Sequence, residues 1–211
     1  MIIPDYKHQM GAHCESGTIA SLLRHHGLNL SEPLVFGIAG GIFFAYFHKT
    51  KSFSFPTFIL RNKPGEIRKN LAKRLNIDFK TYSFKDVEKG FSVLDSLLDQ
   101  HIPVACQVDF FYLDYVPSWE RVHINVHFLA VIGKEENRYI ISDAYFPEIV
   151  TAQKSSLEKG RFPGGNMSPD GFLFHVKNTP SPNIDLSPAI LKGIRKACFN
   201  MLKIPIPFLG I

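Results

Sequence analysis

Cysteine is scarce in this chain, and the little there is forms no pattern. The three cysteines among 211 residues, Cys14, Cys106 and Cys198, are odd in number and widely spaced, with no Cys-x-x-Cys pair. Such spacing argues against a disulfide framework or a structural zinc site and for a reducing, cytoplasmic compartment. The first residues, MIIPDYKHQM, lack the basic stretch and apolar run of a signal peptide. Long apolar runs are missing too. The most apolar stretch, 34-LVFGIAGGIFFAYF-47, is short for a bilayer span and contains three glycines, so a buried helix or helix pair is expected and no membrane partner. Clustered charge is also absent: the net charge is +5, but the cations are dispersed and no nucleic-acid motif accompanies them, which disfavours a nucleic-acid partner.

What is present suffices for one sizeable core. With 45% hydrophobic residues and 211 in all, residues 1–211 read as a single domain. Its apolar tail IPIPFLGI leads us to expect the N-terminal part of a longer protein. Ile19, Leu22 and Leu23 recur at helical spacing between Cys14 and His26, and Gly27 supplies a stop. Ser31 and Pro33 open a second helix, and Pro64 a third with an Ile67, Leu71, Leu75 stripe. A fourth covers roughly Asp86 to Gln100. Strands are then expected at 103–113, 122–133, 138–143 and 172–176. A last helix opens at Ser187, with Ile190, Leu191, Ile194 and Leu202 facing inward. Helices followed by an antiparallel sheet make the class α+β, with N-terminal helices packed on the sheet.

The stretch 12-AHCESGTIASLLRHHG-27 places Cys14 in the first turn of a helix. There a thiolate faces unpaired N–H groups and the positive end of the dipole, which lowers its pKa and makes it nucleophilic. A nucleophile of this kind needs a base, and the base an orienter. His25 and His26 suit the C-terminal end of the same helix as cap residues. His13 is adjacent, but neighbouring side chains diverge, so it can only tune Cys14. His101 and His175 have no supporting pattern. On one strand, His123 and His127 would lie about 13 Å apart, too far to share a metal, and no metal or other cofactor is expected. His127 remains. If Gly133 to Asn137 form the hairpin loop, His127 falls opposite Asp143 on one face of the sheet; a loop one residue shorter would separate them. Either residue alone could be satisfied by backbone; the chain order Cys, His, Asp points to a catalytic set, with Asp143 holding the imidazole.

This arrangement resembles papain-like cysteine enzymes. More specifically, HCESGTIASLLRHHG, EPLVFGIAGGIFFAYF, PVACQVDFFYL and NMLKIPIPFLGI resemble the N-terminal domain of the butirosin biosynthesis protein H family over essentially the whole chain. The resemblance implies a papain-like fold and acyl transfer from an acyl carrier protein thioester to a small-molecule amine. It assigns Cys14 as nucleophile, His127 as base and Asp143 as orienter. It also suggests an upstream glutamine as oxyanion donor, for which Gln9 is the local candidate, with His8 and the Cys14 backbone N–H competing. Glu15 is expected to stabilise its own helix, Cys106 and Cys198 to be packing residues, and Asp109 to line a pocket or hold a loop. A basic patch of Arg68, Lys69, Lys73, Lys192, Arg195 and Lys196 is expected to meet the carrier. Two other readings stay open at this level: a peptidase or amidase using the same three residues, and a binding module without catalysis.

Overall fold

The computed structural model describes residues 1–48, 56–165 and 168–203. Helix α1 spans Cys14–His25 and α2 spans Glu32–Ile38; strands β1 (Ile42–Phe47) and β2 (Thr57–Arg61) form a separate antiparallel hairpin. Then come α3 (Glu66–Leu75), β3 (Asp78–Tyr82), α4 (Val87–Asp99), β4 (Val104–Val108), β5 (His127–Glu135), β6 (Arg138–Ser142), β7 (Val150–Gln153), α5 (Lys154–Arg161), β8 (Leu173–Asn178) and α6 (Ser187–Leu202). The main sheet has six strands in the order β3-β8-β4-β5-β6-β7, with every neighbouring pair antiparallel.

Alternation along β4 and β5 divides the core into two layers. Ala105, Phe128 and Ala130 pack under α1, α2 and α3, whereas Cys106, Leu129 and Val131 pack against α4 and α5. In α1, Ile19, Leu22 and Leu23 are fully buried, each stabilising the fold by about 1.5–3 kcal/mol. Because this helix is seated on β5, the position of its first turn is fixed relative to the start of that strand.

Several expectations need correction. The apolar run 34–47 is half helix and half strand: Gly40 adopts φ +63°, which ends α2 and frees the chain to enter β1. The expected strand 103–113 stops at Val108, because Phe110–Tyr112 turns as a short 3-10 helix begun by Asp109, which accepts from Phe111 N–H. Helix α6 is rotated from the expected orientation. Leu191, Ile194 and Leu202 are exposed, and Ala189, Gly193 and Asn200 face inward. The reason is close approach: a Cβ on Gly193 would lie 2.2 Å from the Gly37 carbonyl oxygen. The tail IPIPFLGI lies outside the described residues.

The β5–β6 hairpin also differs from the expected five-residue loop. Glu135 pairs with Arg138, leaving a two-residue turn of Glu136 and Asn137 with Glu136 at φ +34°. That register alone would put His127 and Asp143 on opposite faces. A bulge between Val131 and Gly133 absorbs one residue and restores a common face. The backbone group it frees is satisfied by the N-terminal segment, whose Ile3 N–H donates to Ile132 O at 2.8 Å. Extending the Ala130–Ser142 pairing by one residue sets Asp143 against Leu129, so His127 is diagonal to Asp143 rather than opposite it.

Candidate active site

The four residues after Cys14 each fasten the start of α1 to a different neighbour. Glu15, fully buried, accepts from Gly65 N–H at 3.0 Å and Arg68 N–H at 3.2 Å. It therefore caps α3, not its own helix as expected. Ser16 Oγ donates to Glu32 Oε1 at 2.6 Å, which ties α1 to α2. At Gly17 an added Cβ would meet the Ala144 Cβ at 2.7 Å, so only glycine lets the helix approach the loop after β6. Thr18 Oγ1 donates to Phe128 O at 3.1 Å on β5. Glu15→Ala removes two charge-assisted hydrogen bonds and leaves the first amides of α3 unpaired in a buried place. It should lower unfolding stability by about 2–3 kcal/mol in denaturant titration.

On this platform the helix start and the ends of β5 and β6 converge. His127 Nε2–H donates to Asp143 Oδ2 at 2.8 Å, and both residues are buried. Asp143 is held in turn: Tyr115 OH donates to Oδ2 at 2.8 Å and Tyr145 N–H to Oδ1 at 3.0 Å. Phe110 packs edge-on against the imidazole at 4.9 Å. The Cys14 thiol lies 3.9 Å from Val126 O and hydrogen-bonds His127. By alternation His127 shares a face with Leu129, whereas α1 packs on the other face, so thiol and imidazole meet at the end of the sheet and not over it.

The electrostatics follow from this geometry. Burial alone would raise the Cys14 thiol, but its hydrogen bond with His127, that residue's charge, the Phe128 N–H and Arg61 outweigh it. The pKa therefore lies below its ordinary 9.0. Burial opposes the imidazolium, yet Asp143 and Cys14 dominate and push the His127 pKa up to about 10. Burial would also raise Asp143, but His127, Tyr145 N–H and Tyr115 hold it below the usual carboxylate range. All three shifts favour the charged forms, thiolate for Cys14, imidazolium for His127 and carboxylate for Asp143, an arrangement that can serve a nucleophile with a proton donor and an orienter.

Other candidates are placed elsewhere. Gln9 is exposed and its carbonyl accepts from Arg24 in the last turn of α1, so it is committed away from Cys14 and is not placed as oxyanion donor. His8 is likewise engaged, by Ser142 Oγ at 2.8 Å and Phe146 O at 3.0 Å. The Cys14 N–H, first in its helix and without an intrahelical acceptor, is the remaining donor of the three. His13 caps α1, with Nδ1 accepting from Ser16 N–H at 3.3 Å; burial, then Arg61 and His127, push its pKa down to about 4. Burial also lowers the pKa of His25 and of His26, which disfavours imidazolium at this end of the helix. His123 is not on the strand but in the preceding loop, bonded to Asp109 Oδ2 at 2.8 Å. Asp109 thus holds a loop, accepting also from Phe111 and Ile124 N–H. Cys106 is buried as expected, but Cys198 is exposed. Arg68 is half-buried over the Phe172 and Phe174 rings and is no free surface cation.

Sequence reasoning missed Phe110, Tyr115, Tyr145 and Arg61. The roles of Phe110 and Tyr115 depend on the turn after β4, that of Tyr145 on the loop after β6 and that of Arg61 on the β1–β2 hairpin, none of which the sequence pattern reveals. Among the described residues, no cluster of three or more His, Cys, Asp or Glu side chains could hold a metal ion. No described helix is long and apolar enough to cross a membrane.

The architecture is that of papain-like cysteine peptidase domains. The structure is similar to a C39-like peptidase from Bacillus anthracis, with a TM-score of 0.57 at 14% identity, over 85% of this chain and 98% of that one. It is also similar to the peptidase domain of Streptococcus ComA, a bi-functional ABC transporter of a quorum-sensing pathway, with a TM-score of 0.50 at 16% identity, over 83% and 99% of the two chains. Within this fold the chain belongs to the family of the N-terminal domain of butirosin biosynthesis protein H, whose model matches residues 13–144. No match was found among curated proteins.

Proposed function

We propose that this protein is a cysteine-dependent acyltransferase of specialised-metabolite biosynthesis, working in a reducing, cytoplasmic setting. It takes an acyl or aminoacyl group from a carrier-protein thioester and passes it to an amine or hydroxyl of a small molecule. The observation that carries this reading is the thiol of Cys14, lowered in pKa by a His127 that Asp143 holds in place. In the first half-reaction Cys14 Sγ bonds to the thioester carbonyl carbon, and the carbon–sulfur bond to the carrier breaks. The departing thiolate takes the proton of His127, and the Cys14 N–H is available to the developing oxyanion. In the second, the acceptor attacks the acyl-enzyme, its proton passes to His127, and the Cys14 thiolate leaves. A thiolate leaving group needs less protonation than an amide nitrogen, so a strongly basic His127 is less of an obstacle here than in proteolysis.

Turnover assays with acyl-pantetheine thioesters plus amines, set beside a peptide panel, test the reading. Thiol release that depends on an amine acceptor supports it; peptide cleavage without thioester turnover would replace it with the peptidase reading.

The carrier proposal has its own test. Lys69, Lys73, Lys192, Arg195 and Lys196 are exposed. Helices α3 and α6 meet at Gly40, where Arg74 and Lys196 both approach. Charge contacts at such a surface are screened beyond about 8 Å at physiological ionic strength. Binding of an acyl carrier protein should weaken as salt is raised and on Lys192→Glu/Arg195→Glu; salt-independent binding would count against this surface.

A further inference from the structure

Exposed apolar side chains collect in the loop that leads into β5 and just after β6, in a way that the triad does not require. Trp119 is 82% exposed, Tyr145 54%, Val122 52%, Ile124 43% and Phe111 37%. Large side chains left in water together mark a surface with an occupant. Four of the five are linked to the reacting groups by short paths. Tyr145 is two residues after Asp143 and packs edge-on against Phe110 at 5.6 Å, and Phe110 packs on His127. Ile124 is two residues before Val126, whose carbonyl touches the thiol, and its own carbonyl accepts from Phe110 N–H at 3.2 Å. Phe111 stacks on His123 at 4.1 Å, and Asp109 pins that part of the loop. Trp119 stands next to Glu120, which accepts from Tyr145 OH at 3.3 Å.

We infer that the loop 111–124 together with Tyr145 forms a wall that receives an apolar acyl group of the thioester donor and so sets chain-length preference. The inference rests on the acyl-transfer reading, and it commits to the acyl group because Ile124 lies two residues before the carbonyl that touches the thiol and Tyr145 packs on the ring that packs on His127. The charged groups of this loop are already engaged: Asp109 by His123 and two backbone N–H groups, Glu120 by Tyr145 OH, and Arg121 by the Val116 and Asp114 carbonyls. Each methylene seated on such a surface improves binding by up to about fourfold.

The test uses N-acetylcysteamine thioesters of acetyl, butyryl, hexanoyl and octanoyl groups. Because the chain has one tryptophan, emission of the Cys14→Ala variant reports directly on Trp119. Acylation of Cys14 should quicken with chain length, by about twofold to fourfold per methylene. The octanoyl-to-acetyl ratio should fall towards one in Trp119→Ala and Ile124→Ser, but not in Leu191→Ala, an exposed leucine of α6. Octanoyl thioester should also shift Trp119 emission to the blue, and acetyl thioester should not. Equal acylation by all four thioesters without an emission shift would overturn the inference while leaving acyl transfer standing, and would give the patch to a macromolecular partner. An octanoyl-dependent emission shift without any acylation would instead keep the apolar wall and overturn the acyl-transfer reading. Neither acylation nor shift would overturn both.

Discussion

Cys14→Ala should reduce turnover by about 10⁴-fold or more and leave the thermal unfolding curve little changed. The activity loss follows because no other group near His127 can form the covalent intermediate. In comparable catalytic sets, loss of the nucleophile removes nearly all of the rate enhancement beyond binding and oxyanion stabilisation. The fold should tolerate the change because the thiol contributes few contacts. It meets Val126 O and His127, while the helix start is held by Glu15, Ser16 and Thr18. Cys14→Ser should be as inactive, because its hydroxyl is not ionised where the thiol is. Residual activity above about a tenth of wild type in Cys14→Ala would show that the chemistry lies elsewhere.

The second large effect concerns His127 and pH. The reactive ion pair exists between the lowered pKa of Cys14 and the value of about 10 at which His127 loses its proton. Iodoacetamide labelling of Cys14 should therefore rise with a midpoint below 9.0, the ordinary value for the thiol. In His127→Ala the two strongest opposing influences disappear and burial, the largest cause, is left against only Phe128 N–H and Arg61. The midpoint should move up, and each unit of displacement slows labelling at pH 7 by about tenfold. Asp143→Asn should fall between the two. An amide oxygen in the Oδ2 position can still accept from His127 and Tyr115 OH, but the charge that raises the His127 pKa is gone, and the amide NH2 must face the Tyr145 N–H donor. Because Cys198 is exposed, these measurements need a Cys198→Ser background. An unchanged midpoint in His127→Ala would separate the thiol from the imidazole.

Much of this site could be read from the sequence, for identifiable reasons. A cysteine at the head of an apolar periodic stretch marks a helix start, and Gly27 after α1, Pro64 before α3 and Asp86 before α4 are local signals. The common face of His127 and Asp143 was also foreseen, but by a different route. The expected long loop gave the right parity; the molecule reaches it through a tight turn and a bulge that no residue type between Val131 and Gly133 announces. Tertiary partners were the least legible. Nothing local to Glu15 shows that it caps a helix fifty residues away, or that Gln9 is taken by Arg24. For α6, hydrophobicity suggested the wrong inner face, because close packing of Gly193 on α2 outweighed burial of Leu191 and Ile194. The β1–β2 hairpin was hidden because an apolar run looks the same in a buried helix and in a strand.

Acyl transfer through this site requires Cys14 to carry the acyl group as a covalent intermediate. Intact-protein mass spectrometry after brief exposure to an acyl-pantetheine thioester reads that intermediate directly. One added acyl mass is expected, mapped to Cys14, absent from Cys14→Ala and discharged when an amine acceptor is supplied. An unmodified protein, or an adduct found on Cys198 alone, would contradict it.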